Sequence, residues 1–362
     1  MKADTVRFRR SLVVAFALSV ASLPLPGGTT DGLSGPARKI CEFTDADAHW
    51  IQRALDGWEL VRREFLKVEP HPLPWIVLYD AACVWDLGAT DPPLFAEARN
   101  LDATLTFAGG AVQVRAAPHR GTVLLPNRVE IPIGVKASTA LYRDDRATFL
   151  VMSMPSVWRR DRRHAMKPFL DEYLQGVFTH ELTHNLQLVR INRRLRRLLR
   201  MSDVPGRLTD DVIQARFRNE RGFARSVETE RDLYYRAVQA RDAVSRRVLV
   251  DKALGMTKGR HAQYFTDANA AYVEIEGLFL TMEGAAQWAA YSLTRARDSR
   301  GLGDLAAMKL VRDDRRYWSQ DQGLALFILL DAMVPDWQER MFAPLLPPSP
   351  FTLLEQALAE SR

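Results

Sequence analysis

Only two cysteines, Cys41 and Cys83, occur in 362 residues. That excludes a disulfide-rich scaffold and any zinc site built from cysteine. Two readings of the pair stay open: one bridge in an oxidising compartment, or two unrelated buried thiols. Low-complexity tracts are missing, and 47% hydrophobic with 26% charged residues excludes a disordered chain. The length suits one large domain or two modest ones.

Long apolar runs are also scarce. One stands out, "SLVVAFALSVASLPLPGG" behind "MKADTVRFRR", and it is short of the about 20 residues of a transmembrane helix. A basic stretch (Lys2, Arg7, Arg9, Arg10), an apolar stretch and small residues near Ala21 and Ser22 read as a signal peptide over 1–22. An uncleaved anchor or a buried first helix is the alternative. The exported versions place the body in the periplasm, the cell envelope or the medium. Removing 1–22 takes away those four cations and Asp4, so the formal charge of +6 falls to +3. Charge then argues for no nucleic-acid partner.

Residues 23–40 read as a linker. "TDADAHWIQRALDGWELVRREFLKV" has helical spacing, with Thr44 as N-cap. "LPWIVLYD" reads as a buried strand, and "ATLTFAGGAVQVR" as a hairpin turning at Gly109-Gly110. "GTVLLPNRVEIPIGVKAS" and "ATFLVMSMPS" supply further strands. From Pro168, a helix first-turn residue, the pattern becomes helical: through the histidines, then over 208–220, 225–255, 262–295, 305–312, 319–333 and 350–360. The expected class is therefore α+β. A small mixed sheet and a histidine-bearing helix occupy 41–200, and a mainly helical half occupies 201–362.

Among only seven histidines, two stand four apart in "YLQGVFTHELTHNLQLV". On a helix His180 and His184 share one face, a turn apart, and can direct ring nitrogens at one metal ion. Glu181 is rotated away from them, placed to reach water on the metal without ligating it. The bland alternative is a pair of satisfied polar residues on a packed helix. A catalytic site needs a third protein ligand, and His49, His71, His119, His164 and His261 sit in no second motif. The carboxylate candidates are Glu228, Glu230, Glu274, Glu276 and Glu283. Glu283 leads, because Gly284-Ala285-Ala286 would let its helix approach the histidine helix closely. Its apolar surroundings would also make an unpaired carboxylate costly. Glu276, on the same helical face, is second.

"HELTHNLQ", with "MEGAAQWAAY" far downstream, resembles the gluzincin branch of the zincin zinc metallopeptidases, whose thermolysin-like members carry the HELTH pentapeptide on an active-site helix. The likeness covers these two helices and, loosely, residues 147–189. It implies Zn2+ at His180, His184 and Glu283, Glu181 as general base, and a zincin-like sheet with the third ligand supplied from 201–362. Thermolysin-like members have an aspartate four residues after the ligand glutamate; Gln287 stands there in this chain. The likeness also implies an edge strand antiparallel to the substrate, for which "ATFLVMSMPS" is the candidate against a role as an internal strand.

The expected activity is zinc-dependent hydrolysis of a peptide or protein, with Glu181 passing a proton from water to the leaving amine. Tyr291, Tyr272 and His261 are candidates to stabilise the oxyanion, Tyr291 first. "VRINRRLRRLLR" continues the histidine helix with Arg190, Arg193, Arg194, Arg196, Arg197 and Arg200. It reads as a solvated face or, helped by "WRRDRR", as a contact for an anionic surface. Two other functions compete: a zinc hydrolase of a non-peptide substrate, and a non-catalytic envelope binding protein with a residual metal site.

Overall fold

The computed structural model describes residues 41, 43–88, 98–142, 144–165, 167, 169–201, 211–297, 303–312 and 317–360. The expected signal peptide, the linker and Pro168 lie outside the described residues. Helix α1 (Asp45–Leu60) begins where Thr44 accepts the Asp47 N–H at 3.1 Å and Asp47 accepts the Thr44 N–H at 3.3 Å. This reciprocal cap satisfies two helix-end donors. Trp50, Ile51, Ala54, Leu55 and Trp58 form its buried stripe.

Six strands make one mixed sheet: β1 (Trp75–Tyr79), β2 (Cys83–Leu87), β3 (Arg99–Phe107), β4 (Gly110–Pro118), β7 (Ala137–Leu141) and β8 (Thr148–Ser153). Their order is β3-β4-β2-β1-β8-β7, with β1 and β8 parallel and the other pairs antiparallel. Strands β5 (Thr122–Leu124) and β6 (Glu130–Pro132) form a separate ribbon. Side chains alternate between faces. Ile76, Leu78, Leu150 and Met152 join the core with the helices, whereas Val77, Tyr79, Phe149 and Val151 pack with Val123 and Ile131 of the ribbon.

Two strand expectations need correction. The hairpin turns at Ala108 and Gly109, both at positive φ, one residue earlier than expected. Such a turn matches the strand twist and needs two left-handed residues. Strand β8 is internal, flanked by β1 and β7, so "ATFLVMSMPS" is not the edge. The last strand on that side is β7.

Cys41 and Cys83 form a disulfide with Cα atoms 5.8 Å apart. It ties the segment before α1 to β2 across a sequence separation of 42. By loop entropy, replacing both cysteines with serine should cost about 4 kcal/mol. Denaturant unfolding of parent and double variant measures this, and the difference should vanish under strong reductant.

The rest is helical: α2 (Pro155–Trp158), α3 (Leu170–His184), α4 (Leu188–Met201), α5 (Val212–Phe217), α6 (Arg221–Val238), α7 (Ala243–Tyr264), α8 (Tyr272–Ala296), α9 (Gly303–Val311), α10 (Trp318–Met333), α11 (Trp337–Phe342) and α12 (Pro350–Ala359). The class is α+β, a small mixed sheet followed by a helical half. Among the described residues no helix is long and apolar enough to cross a membrane. The span expected as one helix over 225–255 is a pair, α6 and α7, and Asp242 caps the second by accepting the Ser245 N–H at 2.8 Å. The histidine helix also stops sooner than its periodicity suggests. The Asn185 side-chain amide donates to the Glu181 and Leu182 carbonyls, each at 3.3 Å. That side chain competes with the backbone for the last turn, and α4 starts afresh at Leu188.

Helix α8 runs through the core, buried almost throughout between Ile275 and Leu293. Gly284 opens it to α10 and not to the histidine helix: a Cβ on Gly323 would lie 2.6 Å from the Gly284 Cα. Helices α3 and α8 approach instead at Gly176 and Ala290, where an added Cβ would be 3.7 Å from the alanine methyl.

Candidate metal centre

Helix α3 places His180 and His184 one turn apart, and α8 brings Glu283 against them. The two Nε2 atoms are 3.0 Å apart. His180 Nε2 lies 3.5 Å from Glu283 Oε2, and His184 Nε2 lies 3.7 Å from Oε1. A tetrahedral zinc with ligand bonds of 2.0–2.1 Å separates its ligand atoms by about 3.3–3.4 Å. The two ring nitrogens lie a little inside that value and the two carboxylate oxygens, one toward each ring, a little outside it, so this buried group can hold a metal ion.

The proton positions fit as well. Gln287 donates its amide N–H to the Val311 carbonyl, which turns its Oε1 toward His180 Nδ1 at 2.8 Å. An acceptor there requires the proton on Nδ1 and leaves the Nε2 lone pair for a cation. Gln287 thus fixes the orientation of the imidazole. Gln320 of α10 donates to Glu283 Oε2 at 3.0 Å. From the sheet side, the Thr139 hydroxyl of β7 donates to the Glu181 carbonyl at 2.5 Å. Nothing in the sequence singled out Gln320 or Thr139, because their importance depends on which elements become neighbours.

Electrostatics follow from burial. Glu181 is 2% exposed, and its Oε2 has no hydrogen-bond partner among the described residues. Burial, with repulsion from Glu283, pushes its carboxyl up to about 7 against the pull of His180 and Thr139. Burial lowers His184 to about 3, and the His180 charge adds to that. For His180 burial acts the same way, but hydrogen bonding to and attraction from Glu283 outweigh it and raise the ring above its ordinary value. Glu283 is depressed despite its burial, because the two histidines and Gln320 favour its ionised form.

The other carboxylate candidates are engaged elsewhere. Glu276 accepts from Arg260 Nη1 at 3.0 Å and lies 2.6 Å from His261 Nε2. Glu230 accepts from Arg260 Nε at 2.7 Å and from Nη2, which Glu276 shares, at 2.9 Å. Glu274 pairs with Arg194, and Glu228 is exposed. Burial opposes ionisation of Glu276, but Arg260 overrides it and lowers its pKa. A carboxyl whose folded pKa lies below its unfolded one adds stability above the usual carboxylate range and loses it as pH falls. Glu276→Gln should therefore cost about 3–5 kcal/mol near neutrality, with the difference closing below about pH 4. Urea unfolding at both pH values measures it, and metal content should not change.

Among the oxyanion candidates, His261 belongs to the Glu276 pair and stacks on Phe265. Tyr272 packs against Phe217 and Phe265. Tyr291 lies under the Arg295 guanidinium, 5.4 Å from its ring centroid, and no hydrogen bond among the described residues joins it to the triad. His164 lies 2.7 Å from Asp161 Oδ1, His119 contacts the Asp80 carbonyl, and His49 and His71 are exposed. Three of the six arginines on α4 have structural partners. Arg190 donates to the Phe342, Pro344 and Leu186 carbonyls, Arg194 pairs with Glu274 and Arg196 with Asp145. Arg193, Arg197 and Arg200 are exposed on one face.

A recess lined by Gly176, Val177, Ala290, Val311 and Gln320 reaches the His180 ring. No protein-family model, curated protein or solved structure matches this chain. The functional reading therefore rests on the site itself.

Proposed function

We propose that the chain is an exported, zinc-dependent metallopeptidase of gluzincin type. The observation that carries this reading is the convergence of His180, His184 and Glu283 within 4.8 Å, with Glu181 in electrostatic reach of His180 and Glu283. Bound zinc would supply a Lewis acid toward a substrate carbonyl and an acidified water. Gln287 keeps His180 in the ligating tautomer. Glu181, held by β7 through its backbone and with one oxygen lacking a partner among the described residues, takes a proton from water and returns it to the departing amine. Its raised pKa suits it to both halves of that transfer. The disulfide supports location outside the cytoplasm, and the exposed Arg193, Arg197 and Arg200 offer a contact to anionic surfaces.

A mixed peptide library digested by the purified protein tests this reading. Cleavage should be lost on chelation and return with added zinc, and no cleavage by zinc-loaded protein would contradict it. One observation favours a non-peptide substrate instead. His180, Glu181, His184 and Glu283 are each at most 2% exposed, which favours a small substrate over a folded polypeptide. Hydrolysis of small esters or amides without any peptide cleavage would select that alternative.

A further inference from the structure

We infer that Gln320 is a positioning residue for the third metal ligand, Glu283, and that Asp211 sets Gln320 in place. The inference rests on the metal-centre reading above. A buried carboxylate on a helix can rotate its two oxygens about the terminal bond, and only some orientations serve a cation also held by two imidazoles. Gln320 Nε2 sits 3.0 Å from Oε2, the oxygen nearer His180, and fixes that rotation. Gln320 is half-buried on the wall of the recess, so it reaches the ligand from the open side while α8 carries the ligand from behind.

What holds Gln320 there is a second layer of bonds. Asp211 caps α5 by accepting the Gln214 N–H at 2.9 Å, and with its other oxygen accepts the Ser319 N–H at 2.7 Å. The Gln214 side chain accepts the Trp318 N–H at 3.1 Å. Two free donors of the first turn of α10 are thus bonded by α5, immediately before Gln320. One turn later Gly323 meets Gly284, the neighbour of Glu283, backbone against backbone. The α10 register is pinned on both sides of Gln320, and the amide has one place to go. The polar groups on two of the ligands are both neutral amides: Gln287 on His180 and Gln320 on Glu283. They orient without adding negative charge beside a cation.

The test uses Gln320→Leu, which removes the donor and keeps the bulk, and Gln320→Asn, which keeps the amide but is one methylene short. Three quantities are read: the zinc Kd by competition with a chromophoric chelator, the visible spectrum of the cobalt-loaded protein, and the melting temperature of the metal-free protein. Both variants should weaken zinc binding about 10- to 100-fold and alter the cobalt spectrum, with a small drop in the metal-free melting temperature from the lost bond to Glu283. Asp211→Asn should shift Kd in the same direction by less. Unchanged Kd and cobalt spectrum in both variants, or a lower metal-free melting temperature with Kd unchanged, would overturn the role of Gln320. Failure of the parent protein to bind zinc would overturn the metal-centre reading itself, a separate outcome.

Discussion

On the proposed reading, the Glu181→Gln protein should keep the parent's zinc content while hydrolysis falls about 10²- to 10⁴-fold, the span associated with loss of a general base. The amide has nearly the shape of the carboxylate, and Glu181 is not in the group that can hold the cation. Its backbone carbonyl still accepts from Thr139, so the link to β7 survives. What disappears is the ability to take and return a proton. The substitution also removes a carboxyl whose burial is unfavourable when ionised, so the variant should fold at least as stably as the parent. The kinetic signature is a lower kcat with little change in KM. A parallel loss of zinc would make Glu181 a ligand, and full activity would remove it from the reaction.

Gly323→Ala is expected to be strongly disruptive, with the closest backbone clash among the described glycines. The new Cβ would fall 2.6 Å from the Gly284 Cα and 2.8 Å from its nitrogen. Both are backbone atoms of a buried helix, so no side chain can swing aside. Helices α8 and α10 must separate, at a cost of about 3 kcal/mol. Because Glu283 and Gln320 stand on the two helices that move, zinc affinity should fall with stability. Gly255→Ala is the control, since nothing lies within 4 Å of an added Cβ there and alanine is the better helix former. It should be neutral or stabilising. Urea unfolding and zinc titration of both proteins decide the matter; equal stability would mean that the helices do not touch at this crossing.

Much of the candidate centre was legible because its information is local or energetic. The spacing of His180 and His184 needs only a helix. Glu283 stood out because a carboxylate amid Leu278, Phe279, Leu280, Met282 and Trp288 needs a compensating partner. The α+β division was legible for the same reason, since period-two and helical patterns occupy different halves. Non-local facts were not. That β8 is internal depends on its parallel pairing with β1, some seventy residues earlier in the chain. Gly284 correctly announced a close helix approach, but a glycine does not name its partner, and α10 took that place while Gly176 served α3. The end of α3 at His184 was hidden because Asn185 fits a helical pattern until its side chain finds the carbonyls behind it. Gln320 was invisible, since a glutamine at the start of an apolar helix resembles any solvent-facing polar residue.

The most direct measurement is the metal content of protein purified without chelators, read together with that of His184→Ala and Glu283→Ala. The account predicts about one zinc ion per chain in the parent, bound at one site, and little or none in either variant while both still fold. A parent protein that folds with no stoichiometric metal, and takes up none from added zinc, would contradict it.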